Sequence, residues 1–228
     1  MTAPMPAPHA AAVAAELLAW LQGPFALDAR VARGERPVIG LAGESGSGKS
    51  TTAEALGAAL AGAGVPVTLL HQDHYFRRPP RTNHAARVAD LSLVGPHEVA
   101  LERIAEHLAA FRAGAPGVEA PRVDYPGNRF DTVWHDFAGA RLLLVEGTYA
   151  LFLEGLDARV FLEATHTDTH ERRMARNRDL WEPVIDTILA IEHAAIAPQG
   201  ATADVVISRD FRVRVPRRAP RHEPPRAP

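Results

Sequence analysis

The 228-residue sequence has no cysteine, which excludes disulfide scaffolds, thiolate metal sites and cysteine nucleophiles together. Aromatic residues make up only 6%, so the core expected from a 46% hydrophobic composition must be built mainly from Ala, Val and Leu. No apolar run approaches the roughly 18 to 20 residues that span a bilayer, and no membrane association is expected. The Ala-rich stretch from Pro8 to Leu21 lacks a preceding positive charge and is interrupted by Glu16, a poor fit to a signal peptide. A cytoplasmic location is the expectation. Lysine is almost missing as well: of 25 basic residues, Lys49 alone is a lysine.

The net charge of −2 conceals an asymmetry. Residues 209–228 hold seven arginines against Asp210 and Glu223, a balance of +5, and the remainder is 18 − 25 = −7. With Pro216, Pro220, Pro224, Pro225 and Pro228, residues 216–228 read as a disordered, solvated tail rather than a nucleic-acid contact. Residues 1–9, with Pro4, Pro6 and Pro8, read as a disordered start. Residues 10–36 read as a helix and linker, the helix running from about Ala10 to Leu21 until Gly23-Pro24 ends it. Residues 37–215 then form one domain, with no internal repeat, and a homo-oligomer is left open.

Within that domain, short apolar runs alternate with segments of helical period. Pro37 to Gly43, Val67 to Leu70, Arg141 to Glu146, Ala158 to Leu162 and Asp204 to Ser208 read as strands. Between them, Ala53, Leu56, Gly57 and Leu60 mark one helix and His97 to Phe111 another, with helical stretches from about Asp168 and over Pro183 to Ile196. Continuous apolar strands alternating with amphipathic helices argue for an α/β, three-layer fold with a central parallel sheet of about five strands, the first of them central.

Gly43-Glu-Ser-Gly-Ser-Gly-Lys49-Ser50 satisfies G-x-x-x-x-G-K-[ST] directly after a strand and at the start of a helix, the context a phosphate-binding loop needs. The glycines at 43, 46 and 48 let the backbone N–H groups of Gly43, Glu44, Ser45, Gly46, Ser47, Gly48 and on to Thr51 curl toward phosphate oxygens, while the helix adds its positive dipole end. Lys49 supplies a point charge for the β and γ phosphates, which accounts for its being the one lysine in an Arg-biased chain. Ser50 offers a hydroxyl to Mg²⁺. ATP and Mg²⁺ are the implied cofactors. A guanine-reading Asn-Lys-x-Asp segment would need a second lysine, and the Gly-rich signature of transporter ATPases is missing downstream. Asp136-Phe-Ala-Gly139 matches D-x-x-G but precedes a strand and reads as a turn.

Gln72-Asp73-His74-Tyr75-Phe76 follows the second strand, and in a parallel sheet of this kind the strands' carboxyl ends form the ligand crevice. Asp73 is thereby placed to face the γ phosphate and to take the proton of an attacking hydroxyl, with a second role at the metal. Glu146, at the end of the third strand, suits organisation of Mg²⁺ and its waters. Arg172, Arg173, Arg176 and Arg178 cluster in seven residues, a density suited to the negative charge of a phosphoryl transition state; Arg176 and Arg178 are the catalytic candidates.

These motifs, with Val123-Asp124-Tyr125 and Ala203 to Ile207, fall in an order and spacing that resembles uridine kinase and its relatives, pantothenate kinase and phosphoribulokinase, over Val38 to Arg209. The resemblance implies a P-loop kinase in which Asp73 is the base and metal-side acid, Glu146 the metal-organising acid, and the four arginines a lid. It also makes Tyr75, Asp124, Asn128 and Arg129 acceptor contacts. At the position where uridine kinases carry a base-reading His, this sequence has Asn128, and Val123 replaces an aromatic. The expected function is ATP-dependent transfer to a hydroxyl of a small metabolite, a nucleoside first, with pantothenate-like or sugar-like acceptors, or an ATPase or regulatory nucleotide-binding module, as alternatives. His71 with His74 and His166 with His170 have spacings that fit Zn²⁺, but no third ligand lies at a regular spacing and no zinc site is expected.

Overall fold

Strands buried on both faces need apolar residues at every position, and the first two strands of the sheet's centre show how they are shared. In β1 (Val38–Gly43), Val38 and Ala42 enter one core and Ile39 and Leu41 the other. In β5 (Leu142–Glu146), Leu143 and Val145 take the first side and Leu142 and Leu144 the second. That period-two alternation between two apolar cores makes the fold three layers deep. The computed structural model describes residues 7–169 and 183–216.

The other sheet members are β2 (Val67–His71), β6 (Ala158–Leu162), β7 (Val205–Ile207) and β8 (Val213–Arg214). Their order is β2-β5-β1-β6-β7-β8, with β1 central between β5 and β6. All pairs are parallel except β7 with β8, so the five expected strands are present and an antiparallel sixth closes the edge.

One face is covered by α1 (Ala7–Gln22) and α3 (Lys49–Gly62), which contribute Leu17, Leu21, Leu56 and Leu60; α1 begins three residues ahead of the sequence expectation. A short α2 (Leu27–Ala32) links α1 to β1. The opposite face packs on α5 (Leu101–Arg112) through Ile104, Leu108 and Phe111, and α6 (Pro183–Ile196) adds Ile196. Two elements had no counterpart in the sequence reading. One is α4 (Pro80–Ala89), and the other is an antiparallel hairpin of β3 (Gly117–Asp124) and β4 (Arg129–Asp136) outside the main sheet. Asp136 ends β4, and its carboxylate accepts from Ala138 N at 2.8 Å, so the D-x-x-G match is a turn. No helix among the described residues is long and apolar enough to cross a membrane.

Candidate active site

β1 delivers the chain into the Gly43–Ser50 loop, whose course depends on its glycines. Gly46 (φ 79°) and Gly48 (φ 101°) are left-handed, a conformation disfavoured for side-chain-bearing residues. A Cβ on Gly43 would lie 2.9 Å from Leu162 and from Ser47 Oγ. Gly48 caps α3, so the helix's positive end points into the curl. Lys49 is buried there, its Nζ donating to Glu44 O at 3.0 Å. Ser47 Oγ is buried with no hydrogen-bond partner, as expected of a cradle shaped around an anion.

β2 and β5 run side by side with His71 opposite Glu146, so two strand ends put their polar groups on one rim. Ser50 Oγ donates to Glu146 Oε1 at 3.0 Å, and His71 Nδ1 lies 2.7 Å from the same oxygen. Burial alone would raise the Glu146 carboxyl. The His71 hydrogen bond and the Lys49 and His71 charges outweigh it and hold the group below the usual carboxylate range. Reciprocally, Glu146 raises His71 above the ordinary imidazole value against the opposing effect of burial. An anionic oxygen beside a hydroxyl oxygen, with an exposed carboxylate two residues beyond His71 at Asp73, is a donor set that fits a hard ion such as Mg²⁺.

Asp73 sits in the 3₁₀ turn Gln72–Tyr75 and lines a cavity of about 170 Å³ with Phe76, Arg78, Asn83, His84 and Tyr125. Gln72 is locked behind it: its Oε1 accepts from Tyr149 N at 2.6 Å, and Gly147 packs so closely that a Cβ would lie 2.3 Å from Gln72 Cβ. A larger hollow of about 580 Å³, lined by Leu151, Phe152, Arg159 and Gln199 among others, includes none of these groups.

Of the residues expected from the sequence, the phosphate loop, Ser50 and Glu146 meet on this rim, and Asp73 follows two residues past the end of β2. The acceptor-side candidates divide. Tyr75 is only 2% exposed, its hydroxyl 3.0 Å from His107 Nδ1, because the 3₁₀ turn points it into the core against α5. The aromatics on the cavity wall are Phe76 and Tyr125 instead. Asn128, at the hairpin tip with φ 50°, accepts from Arg81 N at 2.8 Å and donates to Thr82 Oγ1 at 3.1 Å, pinning the start of α4. Asp124 caps the same tip by accepting from Gly127 N, and exposed Arg129 pairs with Asp124 and Asp131. Arg172, Arg173, Arg176 and Arg178 lie outside the described residues.

A buried network invisible in the sequence backs the cavity. Arg87, on α4, donates to both oxygens of Glu98 at 2.6 and 2.7 Å and lies 3.0 Å from Glu192 on α6. Asn83 and the Tyr149 hydroxyl also donate to Glu98. Burial raises the Glu98 carboxyl, but the Arg87 and Asn83 contacts carry it lower overall, whereas burial keeps Glu192 raised in spite of Arg87. These partners stand 11 to 105 residues apart, and each alone is an ordinary polar or charged residue.

The model of the phosphoribulokinase/uridine kinase family matches residues 38–216. The bifunctional α-galactosidase/sucrose kinase AgaSK of Mediterraneibacter gnavus is 32% identical over 189 residues, which is 77% of this chain but only 20% of that protein. A uridine kinase of Deinococcus deserti is 27% identical over 75% of this chain and 86% of its own length. Among solved structures, phosphoribulokinase from Rhodobacter spheroides superposes with a TM-score of 0.58 at 17% identity, covering 76% of this chain and 70% of that one, a likeness of fold.

Proposed function

The chain belongs to the phosphoribulokinase/uridine kinase family, and on that premise we propose that it transfers the γ-phosphate of ATP to a hydroxyl of a sugar-type, polyhydroxylated metabolite seated between the Gln72–Tyr75 turn, α4 and the hairpin tip. The observation that carries this reading is Asp73, exposed on the cavity wall and on the rim shared with Glu146 and the phosphate loop. A carboxylate there can accept the proton of a hydroxyl while Lys49 and the loop amides hold the phosphates. Ser50 and Glu146 would hold Mg²⁺, with Asp73 beside them; the ion neutralises charge on the phosphates when bound. Arg172, Arg173, Arg176 and Arg178 are proposed, on the family resemblance, to cover the transferring group.

The acceptor class rests on the cavity lining. Arg78, Asn83 and His84 offer several N–H groups, and Phe76 and Tyr125 offer flat faces for the C–H side of a ring. Asn128, in the place of a base-reading side chain, is engaged by α4. AgaSK, whose name includes sucrose kinase, is the kind of relative that favours this reading. A nucleoside is the second reading, favoured by the uridine kinase relatives and by the same two aromatics. The test is acceptor-dependent ADP release across hexoses, sucrose, pantothenate, uridine and cytidine. A sugar should give the highest kcat/KM. Preference for uridine would replace the sugar by a nucleoside, and ADP release indifferent to every acceptor would leave an ATPase.

A further inference from the structure

Glu44, the first variable residue of the phosphate loop, is buried, and its carboxylate does not face solvent. Its Oε2 lies 2.9 Å from His166 Nδ1 and accepts from His166 N at 2.6 Å. Its Oε1 lies 2.5 Å from His193 Nδ1. The two rings meet edge to face with centroids 5.6 Å apart. The three ligand atoms lie within 4.8 Å of one another. His166 is in the segment after β6, four residues before the undescribed stretch 170–182, and His193 is on α6 just beyond that stretch. Thr169 Oγ1 donates to Ser45 O at 2.9 Å, a second tie between the same segment and the same loop.

We propose that Glu44, His166 and His193 form a binding site for a transition-metal ion of the Zn²⁺ class, separate from the oxygen-lined Mg²⁺ position at Ser50 and Glu146. Two imidazoles and one carboxylate are the donor set of three-ligand zinc centres, which leave a fourth position to water or substrate. Mg²⁺ takes oxygen ligands in an octahedral cage and has little use for two imidazoles. The contacts at 2.5 and 2.9 Å are hydrogen bonds through Nδ1; when a metal enters, each Nδ1 lone pair goes to the ion and the ring proton resides on Nε2. Tetrahedral ligand atoms at about 2.0–2.1 Å from zinc stand about 3.3–3.4 Å apart, so the carboxylate contacts at 2.5 and 2.9 Å need to open by less than about 1 Å. A local spacing rule finds no third ligand near His166 because both partners are remote: Glu44 is 122 residues back and His193 is on α6, beyond residues 170–182. A metal here would cross-link both flanks of residues 170–182 to the phosphate loop.

The test is titration of the metal-free full chain with Zn²⁺ by calorimetry, with excess Mg²⁺ present throughout. Binding of one Zn²⁺ per chain is expected, with a rise in Tm that EDTA reverses. His166→Ala and His193→Ala should each weaken binding by more than the roughly 10- to 100-fold that loss of an outer-shell partner costs. His193→Gln, which can still hydrogen-bond to Glu44 but ligates poorly, should behave like His193→Ala, separating a metal site from a hydrogen-bonded tether. Exposed His97→Ala serves as the control and should bind as wild type. Absence of stoichiometric binding, or equal affinity in wild type and all three His166 and His193 variants, would overturn the proposal. If the alanine variants fail to fold, His193→Gln alone decides it.

Discussion

Ser50 and Glu146, 96 residues apart in sequence, meet at 3.0 Å because α3 begins where β1 ends and β5 lies next to β1. Glu146 is thus anionic, buried and one hydroxyl away from the phosphate loop. Glu146→Gln keeps the shape and removes the charge. It should raise the Mg²⁺ concentration needed for half-maximal rate while leaving far-ultraviolet circular dichroism unchanged. An unaltered Mg²⁺ requirement would remove Glu146 from the metal.

Asp73→Asn tests the base. MgATP affinity should hold within a few fold and acceptor phosphorylation should fall by roughly 10² or more. Full activity on a confirmed acceptor would end this assignment.

Lys49 is expected to exchange its contact with Glu44 O for phosphate oxygens once nucleotide binds. Lys49→Ala should cost on the order of 3 kcal/mol in the transition state, about a hundredfold or more in rate, with the fold intact. Lys49→Arg should not restore it, since a planar fork does not replace a compact ammonium in so tight a loop. Single-turnover assays would show whether chemistry or binding carries the loss.

Gly147→Ala should be felt twice. Its Cβ would press to 2.3 Å from Gln72 Cβ, which is not a free side-chain end, so backbone must shift. A loss of about 1–3 kcal/mol is expected, several degrees in Tm for a chain of this size. Because Gln72 adjoins Asp73, kcat should fall as well; a variant with wild-type Tm and kcat would mean that the turn yields easily.

Acid sensitivity should trace in part to His107. Burial, with help from Arg103 and His135, holds its imidazole down at about 4. An unfolded His titrates near about 6.5, so between these values the unfolded chain takes up a proton that the folded chain refuses. Stability from this group is therefore intact above about 6.5 and lost as pH falls toward 4. His107→Gln keeps an acceptor for the Tyr75 hydroxyl but does not titrate. Its urea midpoint should drop less than that of wild type between pH 7 and 4.5, and an identical drop would exonerate His107.

The five parallel strands were legible because a strand buried on both faces leaves an unbroken apolar run, as in Val38 to Gly43. The phosphate loop was legible because its ligands are contiguous backbone groups. α4 escaped notice because the face it buries is polar, Asn83 and Arg87 turning in to Glu98, so it carries almost no apolar stripe, although Pro80 at its first turn was an available signal. Pro121 inside β3 weakens the strand pattern there, and both strands of a two-stranded hairpin are edge strands, where proline is tolerated. Tyr75, expected from the resemblance to touch the acceptor, is turned by the 3₁₀ geometry into the core against His107, and its neighbour Phe76 lines the cavity. The Glu44 and Glu98 clusters were beyond any local pattern, since only the folded chain makes their members neighbours.

Glu192 and His193 are consecutive on α6, and a helix turns by about 100° per residue, so they point in different directions from one point on the rod. Glu192 reaches Arg87, on the wall of the cavity that Asp73 lines, and His193 reaches Glu44, in the phosphate loop. Rolling α6 about its axis cannot slacken one contact while leaving the other at rest. Under the proposed function α6 links the cavity to the phosphate loop, and the affinities of the ligands bound at the two places are expected to change one another by the same factor.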